Sequence, residues 1–216
     1  MCYIYIMEEE IKTGFDRNID YSEIKTKFQD KVTNTYKEYK KVNTPFKQKQ
    51  LAITLCYLLI AMIQLKNGSR ISEACRAFQK FFMSGEVDKK VTVKIAKSEG
   101  VKYNNKTKKK IIHKARYRQM KFPPWFKEKI FYELRNSKLV LPLIKSDRLE
   151  KRVLDFLLNH FNCNTHSLRY ACINYLLTEK KIEMATVAKF VGHTNVSQLV
   201  TYTQNKQVEK IFDIDD

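Results

Sequence analysis

Five apolar residues, Ile24, Phe28, Val32, Tyr36 and Tyr39, recur at steps of four and three, which predicts a helix with one narrow buried stripe. Asp20 with Glu23 three positions on gives that helix a start. Its opposite face turns basic towards the end, at Lys37, Lys40 and Lys41, so the helix fits against a core or along a polyanion equally well. Asn43-Thr44-Pro45 then breaks the chain. From Phe46 to Lys66 apolar residues surround the helix almost completely, the pattern of a central, buried helix. Asn67-Gly68 ends it, and Ser69 is the expected cap of a further helix holding Arg70, Ile71, Glu73, Ala74 and Phe78. The pattern therefore divides the chain into a short N-terminal helical appendage, 1–44, and a main domain, 45–216.

The period changes after residue 86. Val91-Thr92-Val93-Lys94-Ile95 alternates branched apolar and polar residues, as a half-buried strand does. Ser98-Glu99-Gly100 is a turn, and Ile111 to Phe122 can supply a returning strand before Pro123-Pro124 opens another helix. Pro123–Asn136 and Arg148–His160 read as helices, the second with a stripe of Leu149, Val153, Phe156 and Leu157. Asn162-Cys163-Asn164 is a loop and Thr165 the expected N-cap of a helix that buries Leu168, Ala171, Cys172, Tyr175 and Leu176. A last helix, Met184–Val191, stops at Gly192 and leaves His193 on an inward turn. The fold class is α+β, mainly helical, with a small antiparallel sheet or hairpin.

Composition changes this picture in one respect. The 216 residues carry a formal charge of +18, an excess that concentrates polyanions. Charge alone leaves nucleic acid on level terms with a plain lysine-rich coding bias. Between Lys102 and Lys121 the charged residues are all basic: Lys102, Lys106, Lys108, Lys109, Lys110, Lys114, Arg116, Arg118 and Lys121, with Tyr103, Tyr117 and Phe122 interleaved. Such a run is either a solvated hairpin or an arm that tracks phosphates. The five cysteines are odd in number and lie in no metal-ligand spacing, which suits a reducing compartment. Leu51–Ile63 is too short to span a bilayer, and residues 1–7 have no basic flank, so a cytoplasmic location without membrane contact is expected. No phosphate-binding glycine loop, zinc pattern or carboxylate cluster for a metal is visible, and no cofactor is expected.

The candidate chemistry lies in the second half. His166 and Arg169 stand three apart at a helix start, Gly192-His193 closes a later helix, and Tyr202 follows His193 by nine positions. Each alone has an ordinary reading: a surface charge, a helix cap, a core tyrosine beside Val196, Leu199 and Val200. Gly68-Ser69-Arg70-Ile71-Ser72-Glu73 adds an arginine after a helix break with an acid three positions on. Taken together and in this order, these residues resemble the tyrosine recombinases, the phage-integrase family, over about residue 46 to the end.

The resemblance implies the recombinase catalytic fold and a set of roles. Arg70 and Arg169 would bind the non-bridging oxygens of a DNA phosphodiester, and Tyr202 would attack phosphorus to form a 3′-phosphotyrosyl link. Lys97, in Ala-Lys-Ser-Glu-Gly-Val-Lys, would protonate the departing 5′ oxygen, with Lys102 as the other candidate. His166 would be the acid–base partner of the tyrosine, and His193 would hydrogen-bond the phosphate. The implied activity is site-specific recombination or integration on double-stranded DNA, without metal or ATP, with self-association on DNA as a dimer or tetramer. The residues behind Tyr202, with Val208, Ile211 and Phe212 on one turn, would dock in cis or on a neighbouring copy. Two other readings share these residues: a type IB topoisomerase-like nicking and rejoining enzyme, and a non-catalytic DNA-binding relic that regulates a full-length recombinase.

Overall fold

The computed structural model of the chain describes residues 19–96, 98–104, 109–193 and 196–199. Lys97, Lys106, Lys108, Tyr202 and the segment behind it therefore lie outside the described residues. Among the described residues, eight α-helices and four short strands follow in the order α1 (Tyr21–Lys41), α2 (Pro45–Asn67), α3 (Ile71–Ser84), β1 (Val91–Lys94), β2 (Gly100–Asn104), β3 (Lys109–His113), β4 (Tyr117–Met120), α4 (Glu128–Asn136), α5 (Leu141–Ile144), α6 (Leu149–Phe161), α7 (Thr165–Asn174) and α8 (Met184–Val191). The mainly helical α+β class read from the sequence is the class observed.

α1 packs on the main core. Its stripe residues Ile24, Phe28, Val32 and Tyr39 are buried in the same hydrophobic cluster as α2, α3 and α6. Phe28 meets Phe161 of α6 edge to face at 4.8 Å, and the Tyr36 hydroxyl donates to Glu133 of α4 at 2.8 Å. Asp20 caps the helix by accepting the Glu23 N–H, as its sequence predicts.

α2 is the axis. Leu58, Leu59, Ile60, Ala61, Met62 and Ile63 are consecutive and fully buried, possible only for a helix covered on every side, here by α1, α3 and α7. Pro45 occupies its first turn, so the helix is longer than the apolar run inside it and is long and apolar enough to cross a membrane. Most of that surface is buried against the protein's own helices instead. Gly68 closes α2 in the left-handed conformation, φ +53°, where a Cβ would stand 2.9 Å from Val191 and 3.1 Å from the Cys172 sulfur. α2 therefore ends flush against α7 and α8, and that junction positions the candidate site.

The strands form a hairpin within a hairpin. β1 pairs antiparallel with β4 (Val91 opposite Met120, Lys94 opposite Tyr117), and the β2–β3 hairpin is inserted between them. The single returning strand expected over 111–122 is thus two strands with different partners. Several boundaries also move. α3 is capped by Arg70 rather than Ser69, and α7 by Asn164 rather than Thr165, because the Asn164 side chain takes the Ser167 N–H. Pro123-Pro124 makes a turn, closed by the Phe126 N–H on the Pro123 carbonyl, and α4 starts only at Glu128. α7 continues into a π-helical turn at Tyr175–Glu179.

Candidate active site

Three guanidiniums reach the corner where α2 ends. Arg169, on the buried side of α7, donates through Nη1 to the Gly68 carbonyl (2.5 Å) and through Nη2 to the Val191 carbonyl (3.0 Å). The same Nη2 lies 2.9 Å from His193 Nε2. A guanidinium only donates, so this geometry requires a lone pair on Nε2 and leaves the proton of the neutral ring on Nδ1. Both carbonyls come from helix C-terminal ends, where the backbone dipole is negative, which offsets the burial of the charge.

Arg70 caps α3 and is half-buried, with Nη1 at 3.4 Å from both Glu73 Oε1 and the Ala96 carbonyl. An arginine accepts no hydrogen bond, so the capping interaction runs one way, from the Arg70 N–H to Glu73 Oε2. Glu73 is fully buried and joins the parts of the corner: besides Arg70 it accepts the Ala96 N–H (3.0 Å) and Nη1 of Arg118 (3.4 Å). Ala96, held on both its N–H and its carbonyl, is the residue before Lys97.

Arg118 corrects the sequence reading, which placed it on the basic arm. Strand alternation turns it inwards with Met120, while Tyr117 and Gln119 face out. It is 7% exposed, donates to the Asn67 carbonyl as well as to Glu73, and stacks over the Phe190 ring at 5.2 Å. Burial pushes its guanidinium down to about 10, against the opposing pull of Glu73, so it remains charged at neutral pH. Its Nε has no partner among the described residues. The signal that could have found it was the alternation with Met120, masked by the surrounding basic residues.

Two side chains missed in the sequence hold the corner together. Gln64 donates from one nitrogen to the Ser69 carbonyl (3.1 Å) and the Thr165 carbonyl (2.7 Å), tying α2 to the starts of α3 and α7. Asn67 exchanges hydrogen bonds with the backbone of Lys121 at the end of β4.

His166 stands exposed in the first turn of α7, while Arg169 is buried. The two residues, three apart on one helix, therefore differ in depth. Gly192 closes α8 at φ +79°, and the His193 N–H returns to the Ala188 carbonyl at 2.9 Å, which turns the histidine back towards Arg169. Beside it lies an open cavity of about 550 Å³ lined by residues that include Arg116, Lys189 and His193. Arg116 is half-buried there, whereas Lys110 and Lys114 are exposed; Lys102 and Lys109 lie in β2 and β3.

The structure thus brings Arg70, Arg169 and His193 to one corner and leaves His166 exposed in the first turn of α7. Glu73 pairs with two of these guanidiniums, Arg70 and Arg118, and the forked donors gathered at the corner suit a phosphoryl group. Among those residues no group of three or more His, Cys, Asp or Glu could hold a metal ion.

Over 206 residues, 94% of the chain, it is 48% identical to the candidate integrase V10 of Sputnik virophage and covers 91% of that protein. The chain belongs to the integrase family. A second relative, the candidate integrase ORF241 of Acidianus two-tailed virus, is 33% identical over 91% of this chain and 67% of its own length. No family model matches. The XerH site-specific recombinase, in its pre-cleavage complex with difH, covers the whole chain at 16% identity with a TM-score of 0.48. The chain spans 57% of the length of that recombinase.

Proposed function

We propose that this integrase-family chain is a site-specific DNA recombinase that cuts and rejoins double-stranded DNA through Tyr202. The observation that carries the reading is the junction of Arg70, Arg169 and His193 at the end of α2, with Arg70 held by Glu73 and the Ala96 carbonyl, Arg169 by the Gly68 and Val191 carbonyls, and His193 against Arg169. Two forked guanidiniums bind the non-bridging oxygens of a phosphodiester and stabilise the charge that grows there in the transition state. Tyr202 attacks phosphorus with loss of its proton, which His166 accepts, and the P–O5′ bond breaks. Lys97, next to the doubly held Ala96, gives its proton to the leaving 5′ oxygen. The product keeps one phosphodiester, now on tyrosine, so a 5′-hydroxyl from another strand can reverse the step without ATP. His193 contributes a hydrogen bond to the phosphate. Copies of the chain act together on DNA, as exchange of strands between two duplexes requires.

The test is a nicked suicide duplex carrying the target site. The unmodified chain should form a covalent adduct, in excess EDTA and without nucleotide, and Tyr202→Phe should form none while still binding the duplex. An adduct with the Phe variant assigns the nucleophile elsewhere; a strict Mg²⁺ requirement for the adduct overturns the metal-free mechanism.

A further inference from the structure

We infer that a second basic surface, where the start of α1 meets the ends of α2 and α7, grips the DNA backbone beside the cleaved phosphate. This rests on the DNA reading above but concerns residues outside the basic hairpin and the active site. Its centre is Trp125, the only tryptophan in the chain. The ammonium of Lys25 (α1) lies 5.0 Å from the indole centroid, and that of Lys66 (α2) lies 5.5 Å from the same ring. Tyr21 meets Trp125 edge-on at 6.3 Å and stacks on Tyr175 at 4.1 Å, and Lys180 sits 5.5 Å from the Tyr175 ring. Three lysines from three separate elements are thereby gathered on one aromatic platform.

The arrangement has the wrong balance for a purely structural device. One ammonium over an indole is favourable, but a second at the same ring brings like charges together. Among the described residues none of the three lysines has a carboxylate within ion-pair distance. The acids at the start of α1 are committed elsewhere: Asp20 caps the helix and Glu23 pairs with Lys27. The indole N–H also lacks an acceptor among the described residues. The lysines are half-buried or exposed, so an anion can reach them.

Position selects the anion. Lys66 immediately precedes Asn67 and Gly68, whose carbonyls hold Arg118 and Arg169. Its charge also acts on the buried Cys172 thiol together with those of the two arginines. A polymer with regularly spaced phosphates, seated with one on Arg70 and Arg169, can place another at Lys66 and Lys25. Ammonium groups on flexible stems suit backbone phosphates, which they meet without reading sequence.

The experiment measures duplex binding against salt for the unmodified chain and for K25Q/K66Q/K180Q, with Trp125 fluorescence recorded in the same titration. Thermal midpoints of both proteins establish that the variant is folded. The expected result is a slope of log affinity against log salt reduced by up to about 2.7, at about 0.9 for each phosphate no longer neutralised. DNA should also change the Trp125 emission of the unmodified chain, and this response should shrink in the variant. An unchanged slope with normal duplex binding overturns this inference alone and leaves the recombinase reading standing. Absence of duplex binding by the unmodified chain overturns both.

Discussion

Arg118 and Arg169 are almost entirely buried, each held by backbone carbonyls, while Lys110 and Lys114 stand exposed on and beside β3. Both regions are basic, yet they handle charge in opposite ways. A buried guanidinium forfeits hydration, and the protein must replace it with carbonyl and carboxylate partners of fixed geometry. What results is orientation: the donors point in set directions before any phosphate arrives. An exposed ammonium keeps its water and its freedom, costs little stability and is screened within about 8–10 Å at physiological salt. It raises the local concentration of a polyanion without aiming it. The corner is suited to chemistry and the hairpin to attraction, although net charge alone makes them look alike.

Glu73 offers the largest break in this contrast. Glu73→Gln keeps the side-chain shape but leaves Arg118 buried without its carboxylate and frees Arg70 and Ala96. Breaking a buried pair in this way costs about 3–5 kcal/mol, whereas surface substitutions stay within about 0.5 kcal/mol. Chemical denaturation should therefore show a large loss for Glu73→Gln and almost none for glutamine replacements at Lys110 or Lys114. Similar midpoints for all three variants would show that the buried network is not under the electrostatic tension described.

Arg169→Lys gives the next effect, in catalysis. A lysine has one ammonium and no fork, and cannot serve Gly68, Val191, His193 and a phosphate oxygen from fixed positions. Adduct formation at saturating DNA should fall by about 10²–10³-fold, the scale of removing one preorganised donor, while duplex affinity changes only a few-fold. A fall in affinity as large as the fall in rate would mean that the corner attracts DNA rather than orients its phosphate.

The same contrast explains what was legible in the sequence. α1 and α2 could be read because their burial follows a helical period, narrow in one and all-round in the other. Arg70, Arg169 and His193 were singled out through the order and spacing of their motifs, at breaks marked by Gly68 and Gly192. Arg118 was misread because a strand of four residues gives only two inward positions, and its basic neighbours outweighed that signal. The roles of Gln64 and Asn67 were invisible, since each depends on backbone groups far away in the chain, at Thr165 and Lys121. The docking of α1 was open because a narrow stripe does not name its partner; Phe161 and Glu133 supply it.

The smallest effect is expected from the hairpin. Replacing Lys108, Lys109 and Lys110 together with glutamine removes charge from its basic run while leaving the β1–β4 pair, which carries Arg118, untouched. Binding to duplexes of different sequence should weaken by the same factor, because an ammonium on a phosphate carries no base information. The salt slope should flatten by up to about 0.9 for each phosphate that the hairpin ceases to neutralise. Adduct formation at saturating DNA should be unchanged, since none of the three is needed to aim a donor at the scissile phosphate. A lower rate at saturation would place the hairpin within the catalytic assembly, and the division between orienting and attracting cations would fail. An unchanged slope would leave the run as a solvated face and move polyanion binding elsewhere, with the lysines around Trp125 the first place to look.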